Sequence, residues 1–245
     1  MNKRAIVTGA SSGIGKGIAV RLAEAGYDVA VWYSGNQDGA EDTVKQVREL
    51  GREALLVRAD LRDLDQIRAA FDTIGKVFET YELLVNNAGI TKWAPVVDTT
   101  PELFDSVLGV DFRGAFFCTQ FAARAMIAAK VKGLIVNISS NHSAMNWKGF
   151  SVYAATKCAM NKLTQIAALE LAEHGIRVVG IAPGYTMIRP TRPETEARIA
   201  QEIPIGRWAR PDEVGELVVN LASHKMASLT GTTIVLDGGA SLKNK

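Results

Sequence analysis

The 245-residue chain balances 28 lysines and arginines against 26 aspartates and glutamates, a net charge of +2 with no block of one sign. That pattern offers no electrostatic grip on nucleic acid or on a membrane surface. At 47% hydrophobic content, the chain has enough apolar side chain for one large α/β domain with a full core.

The opening MNKRAIVTGA enters a strand, RAIVT (residues 4–8), almost directly, with no apolar run long enough for a signal peptide or a membrane span. TGASSGIGKG then begins at Thr8 and runs into a helix whose Ile14, Ile18, Ala19 and Leu22 are apolar. Gly9, Gly13 and Gly15 fall where backbone must turn tightly, approach a diphosphate and let helix pack on strand. A glycine-rich connector is the simpler reading of such a triplet. Its place in the first βα turn favours a phosphate cradle.

The second and third strands are DVAVWY (28–33) and EALLVRA (53–59), each following a glycine, Gly26 or Gly51, that ends a helix in the left-handed region. Leu64, Ile67, Phe71, Ile74 and Phe78 recur at spacings of three and four, which predicts a helix with one apolar face on the sheet. The fourth strand is LLVNNA (83–88). Thr100 before Pro101 reads as an N-cap and a first-turn proline, opening an unusually long helix toward residue 129. LIVNIS (134–139), IRVVGIA (176–182, after Gly175) and TTIVLD (232–237) complete seven strands. Nearly continuous apolar runs alternating with helices predict a doubly wound parallel sheet covered on both faces, in a single domain spanning 1–245. Cys118 and Cys158 lie in apolar helical stretches without metal-ligand spacing, so both are read as buried reduced thiols and the protein as cytoplasmic.

YAATK places Tyr153 and Lys157 one helical turn apart on one face. Alone, that pair is a weak signal. With the Gly-x-x-x-Gly-x-Gly spacing of the first turn, NNAG at 86–89 and PG at 183–184, in this order, the chain resembles the short-chain dehydrogenase/reductases over nearly its whole length.

The resemblance implies a Rossmann-type fold and a nicotinamide dinucleotide cofactor. It would be held by Gly9, Ser11, Ser12, Gly13, Ile14 and Gly15 in the first turn and by Tyr33, Ser34 and Asn36 after the second strand. Asp60 and Leu61 would lie at the adenine, Asn87, Ala88 and Gly89 at the adenosine ribose, and Pro183, Gly184, Thr186 and Ile188 at the nicotinamide. Asp60 is equally readable as a cap ahead of LRDLDQ. Tyr153 is the implied acid or base. A free phenol, with a pKa of about 10, is almost all protonated at neutral pH, and a nearby ammonium favours the phenolate. Lys157 would supply that charge and bind the nicotinamide ribose. Ser140, thirteen residues before Tyr153, would orient the substrate oxygen, whereas Ser139 reads as a strand-end turn.

Two positions depart from the family pattern. Asp111 in GVDFRG replaces an asparagine of the catalytic set, and its carboxylate could pair with Lys157 and partly cancel its effect on Tyr153. Ile188 replaces a threonine that contacts the carboxamide, with Thr186 close enough to substitute. No acid stands at the end of the second strand, which favours NADP(H) over NAD(H), although no arginine stands there either.

His142, Trp147, Trp93 and Tyr185 could line a substrate cleft, in a loop similar to that of glucose-type sugar dehydrogenases of the family. The alternative is that these aromatics pack a loop or a subunit contact. A segment around 186–208 corresponds to a mobile lid in relatives. The implied activity is interconversion of a carbonyl and a secondary alcohol on a small polar, sugar- or polyol-like molecule, without metal. A 3-oxoacyl-thioester reductase and a catalytically weak dinucleotide-binding regulator are the rivals. Relatives pair long helices across two-fold axes, and FFCTQFAARAMIAA is apolar on more of its circumference than one sheet face needs, so a homotetramer or homodimer is expected.

Overall fold

The computed structural model describes residues 3–243; residues 1, 2, 244 and 245 of the expected single unit lie outside the described residues. Seven strands form one sheet: β1 (Lys3–Thr8), β2 (Tyr27–Tyr33), β3 (Ala54–Arg58), β4 (Leu83–Asn86), β5 (Leu134–Ile138), β6 (Arg177–Pro183) and β7 (Thr233–Leu236). Their order is β3-β2-β1-β4-β5-β6-β7, all pairs parallel. The order reverses between β1 and β4, and there the carboxyl ends of the strands open a crevice.

Alternate side chains feed two cores. Ala5 and Val7 of β1 join the cluster under α1 (Gly13–Glu24), α2 (Gln37–Glu49) and α8 (Pro211–Ala222). Ile6 between them joins the cluster under α3 (Leu64–Phe78) and the long helices of the opposite face. Gly26, Gly51 and Gly175 end their helices with φ of +89°, +74° and +71°.

The expected helix from Thr100 begins as predicted, with Thr100 Oγ1 accepting the Leu103 N–H at 3.2 Å and Pro101 in the first turn. It is not uniform. α4 (Pro101–Leu108) passes into a π-helical turn over Gly109–Gly114 before α5 (Ala115–Ala128). The turn lies close against the loop after β3, where a Cβ on Gly114 would come within 2.7 Å of Leu61 Cβ. π turns recur at functional sites because they re-aim side chains without ending the helix. Here the turn buries Asp111 completely.

A buried amide chain ties the helices of this face to the sheet. Asn86 Nδ2 donates to Thr119 Oγ1 and Asn137 Oδ1, both at 2.9 Å, and Asn137 Nδ2 donates to Thr164 Oγ1 at 2.9 Å. It fixes α5 and α6 (Ser151–Leu171) against β4 and β5, so the groups carried on π turn and α6 meet in a set register. Cys118 is buried in α5, and burial pushes its thiol up. Cys158 corrects the expectation of two buried thiols: it is exposed. Lys157 faces inward, and the next residue lies about 100° further round the helix.

Candidate active site

The crevice holds two connected cavities. The larger, about 640 Å³, is lined by Gly9, Ser11, Ser12, Gly13, Ile14 and Gly15, by Tyr33, Ser34, Asp60 and Leu61, by Asn87, Ala88 and Gly89, and by Tyr153, Lys157, Pro183, Gly184 and Ile188. The smaller, about 400 Å³, takes His142, Trp147, Tyr185 and Thr186. Ser140 and Tyr153 belong to both walls.

The first turn is shaped to admit a dinucleotide. Gly9 (φ +65°) and Gly13 (φ +55°) adopt conformations that L side chains rarely reach, and a Cβ on Gly9 would stand 2.8 Å from Ala88 Cα. A Cβ on Gly15 would overlap the Gly9 carbonyl and the Asn87 amide. Asn87 Nδ2 donates to Thr8 O at 2.8 Å, bracing the turn from β4. Ser12 precedes α1 without a capping side-chain bond, and no acid occupies its first turn, so the helix amides there remain available to a diphosphate. The cradle, the cavity volume and the absent capping acid all fit the cofactor.

Asn36 and Trp93 stand elsewhere than expected. Asn36 caps α2, its Oδ1 accepting the Gly39 N–H at 3.1 Å, and does not line the cavity. Trp93 is 63% exposed and rests against Gly149, outside both cavities. Asp60 serves a turn: its Oδ1 accepts the Arg62 N–H at 2.9 Å, while Asp63 caps α3. The Arg62 guanidinium, 2.5 Å from Asp60 Oδ2, holds that carboxyl below its ordinary range. Arg62 lines the large cavity and was passed over in the sequence, where it reads as one more charge in a solvated loop.

In the wall of the larger cavity, Lys157 Nζ donates to Ile138 O at 3.2 Å and lies 5.4 Å from the Tyr153 ring centroid. Asp111 Oδ1 accepts the Ile90 N–H at 2.7 Å, and its Oδ2 stands 3.3 Å from Lys157 Nζ, a contact of charges rather than an aligned hydrogen bond. Burial pushes the Asp111 carboxyl up, and Lys157 and the Ile90 amide oppose that shift. The carboxylate therefore takes the lysine-pairing arrangement that the sequence left open. Ser139 donates to Lys157 O at 3.2 Å, a fastening from β5 to α6.

Ser140 Oγ accepts the His142 N–H at 3.2 Å, which leaves its hydroxyl proton free to donate. His142 stacks on Trp147 with centroids 4.0 Å apart and meets the Tyr153 ring edge-on at 5.2 Å. Burial lowers the imidazole to about 4, so it is neutral at physiological pH. Tyr185 packs on Trp208 at 5.7 Å, and α7 (Pro193–Ala200) contributes Thr195 to the same wall, within the segment expected to cover substrate. Thr186 donates to Gly184 O at 3.1 Å. Asn141 is buried and donates to Asp237 Oδ2 at 3.4 Å, and Asp237 also accepts the Gly239 and Ser241 N–H groups. This brace was missed, although Asp-Gly-Gly after the last strand marks a turn that needs a side-chain acceptor.

The fold and its paired cavities define a dinucleotide-dependent oxidoreductase. Residues 9–241 match the family model described as enoyl-(acyl carrier protein) reductase. The chain is 36% identical over 242 residues to 3-oxoacyl-[acyl-carrier-protein] reductase FabG of Staphylococcus aureus, covering 98% of each chain. Among solved structures, acetoin dehydrogenase YohF from Salmonella typhimurium superposes with a TM-score of 0.93 at 34% identity, covering 100% of this chain and 98% of that one. Acetoin dehydrogenase from Enterobacter cloacae gives 0.92 at 36% identity, covering 100% and 97%. The chain belongs to the short-chain dehydrogenase/reductase family. It is an NAD(P)-dependent enzyme that interconverts a carbonyl and a secondary alcohol.

Proposed function

We propose that the protein reduces a small polar ketone, or oxidises the corresponding alcohol, in the smaller cavity, with NADP(H) preferred in the larger one. The reading rests on one observation above all: Ser140 and Tyr153 line both cavities, and Lys157 lines the larger one with its Nζ 5.4 Å from the Tyr153 ring. The nicotinamide, when bound, supplies or receives the hydride. Tyr153 donates its phenolic proton to the oxygen of the reacting carbon, or takes it back in the oxidising direction. The Ser140 hydroxyl donates to the same oxygen and stabilises the charge that develops there. Lys157 favours the phenolate, and Asp111 tempers it.

The lack of an acid at Tyr33–Ser34 removes the repulsion that a 2′-phosphate would meet, and Arg62 adds a guanidinium at the cavity edge. Both support NADP(H). A small polar substrate is consistent with the mixed lining of the smaller cavity, and two solved relatives are named acetoin dehydrogenases. The FabG relatives support a second reading, reduction of a 3-oxoacyl thioester.

Unpaired Cys118 and Cys158 support a cytoplasmic setting. Exposed Phe104, Phe116, Ile166 and Leu169 on α4, α5 and α6 support a homodimer or homotetramer formed through these helices. A small-molecule substrate is the expected partner, rather than nucleic acid or membrane. No described helix is long and apolar enough to cross a membrane.

The deciding experiment measures oxidation of NADPH and NADH over a panel of ketones, sugar-derived carbonyls and acetoacetyl thioesters, with Tyr153→Phe beside the parent. Turnover of one class, reduced about 10²–10⁴-fold in the variant, is the expected result. A variant as active as the parent would refute the assignment of Tyr153.

A further inference from the structure

Two hydroxyls must meet one substrate oxygen, yet Ser140 stands just past β5 and Tyr153 on α6. The groups that hold the serine turn in register with that helix take no part in the proton or hydride chemistry. Ser140 opens a short 3-10 turn, Asn141–Ser143, and its carbonyl accepts the Ser143 Oγ–H at 2.7 Å. Asn161 Nδ2 donates to Ser143 Oγ at 2.9 Å, and Thr233 Oγ1 of β7 donates to Asn161 Oδ1 at 3.3 Å. Gly180 of β6 pairs with Thr233, and a Cβ there would stand 2.4 Å from Thr233 Oγ1. The missing side chain lets the threonine reach over β6 to α6.

The direction of this chain of bonds follows from its end. A carbonyl can only accept, so the hydrogen between Ser140 O and Ser143 Oγ belongs to the serine hydroxyl, which is left with lone pairs for α6. Asn161 therefore turns its NH2 toward Ser143 and its oxygen toward Thr233, whose hydroxyl donates. Each hydrogen has a single place. Cys158 Sγ adds a weaker bond from the same helix to Ser143 O at 3.2 Å. Asn161 lies two turns beyond Tyr153 and about 80° further round α6, so the phenol and the group that braces the serine turn ride on one rigid element.

Building on the carbonyl-reductase reading, we propose that Asn161 is a positioning residue for the reaction: through Ser143 it locks the Ser140 turn, and with it the direction of the Ser140 hydroxyl, to the helix that carries Tyr153. Thr233 orients the Asn161 amide and is the outer member of the same brace. Without that amide the Ser143 hydroxyl is free to rotate away from Ser140 O, and the turn can shift on α6. The Ser140 hydroxyl then loses its alignment with the oxygen it shares with Tyr153.

The test uses the NADPH-supplied enzyme and the member of the carbonyl panel above that the parent reduces fastest. It measures kcat and the KM for NADPH in the parent, Asn161→Leu, Ser140→Ala and the double variant. Asn161→Leu keeps the approximate size and the neutrality of the side chain and removes both of its bonds. It is expected to lower kcat by about tenfold, part of the 10²–10³-fold that a lost transition-state donor costs, with the KM for NADPH within about twofold of the parent's. In the Ser140→Ala background the same substitution should change kcat by less than about twofold, because the hydroxyl it aims is already gone. Thr233→Val should cost about threefold with the same dependence on Ser140, and is read in its place should Asn161→Leu not fold. An equal loss with and without the Ser140 hydroxyl, a loss carried by the KM for NADPH instead of kcat, or an unchanged kcat overturns the inference and leaves the reductase reading standing. Ser140→Ala as active as the parent, or a parent that binds NADPH and reduces no member of the panel, overturns both.

Discussion

Asp111→Asn removes a buried negative charge 3.3 Å from Lys157 Nζ while keeping an oxygen to accept the Ile90 N–H. The size of the effect is bounded by what Lys157 itself can do. Its Nζ lies 5.4 Å from the Tyr153 ring centroid. At an effective dielectric of about 20, a charge pair at that separation is worth about 3 kcal/mol. Asp111 pairs with Lys157 rather than with Tyr153, so it cancels a fraction of this. Removing it frees the lysine to favour phenolate more strongly. The acid limb of kcat for alcohol oxidation should move toward lower pH by about one unit and no more than about two. Steady-state rates across the pH range, on parent and variant at saturating alcohol, read the shift directly. Profiles that overlay, or a shift toward higher pH, would refute a charge coupling between Asp111 and the catalytic pair.

Gly15→Ala forces a Cβ into the Gly9 carbonyl and the Asn87 amide. Calorimetry should show a loss of about 3 kcal/mol, roughly a 10 °C drop in Tm, together with weakened cofactor binding. Ser34→Asp places a carboxylate at the end of β2, and the ratio of kcat/KM for NADPH over NADH should fall by at least about tenfold; an unchanged ratio would place the 2′-position elsewhere. His142 stays neutral in the folded protein down to about pH 4, whereas an unfolded chain protonates it near 6.5. The unfolded state therefore binds the extra proton in that window, and stability falls as pH drops through it. Urea midpoints between pH 7 and 4.5 should decline less in His142→Phe than in the parent.

Much of the scaffold was legible because its signals are local. Strands buried on both faces, such as Leu83–Asn86 and Leu134–Ile138, show as unbroken apolar runs, and Thr100-Pro101 states a helix start in two residues. The glycines of the first turn were legible for the same reason. Features that depend on what lies across the fold were not. Nothing in GVDFRG announces a π turn, and the contacts its residues make are with Leu61, Ile90 and Lys157, all distant in sequence. Cys158 was misjudged because α6 is apolar on several sides, so periodicity did not identify its inner face. Trp93 looked like a cleft aromatic, but the missing side chain of Gly149 offers it a flat seat elsewhere. Asn36 could have been read correctly: an asparagine opening a helix is first a cap.

The π turn at Gly109–Gly114 also sets an angular phase. A turn closed from i to i+5 absorbs one residue more than an α-turn, so α5 leaves it rotated by about 100° from the course an unbroken α-helix would give. Cys118, Thr119 and Ala122 face the sheet, and Phe116 faces outward, only with that residue present. Deleting any one residue of the turn would restore a uniform ladder and swing this face away from β4 and β5. The segment is therefore sensitive to length more than to composition: losing one residue would uncouple the surface carried by α5 from the chemistry carried by Asp111, whereas many side-chain changes on the outer face would leave both in place.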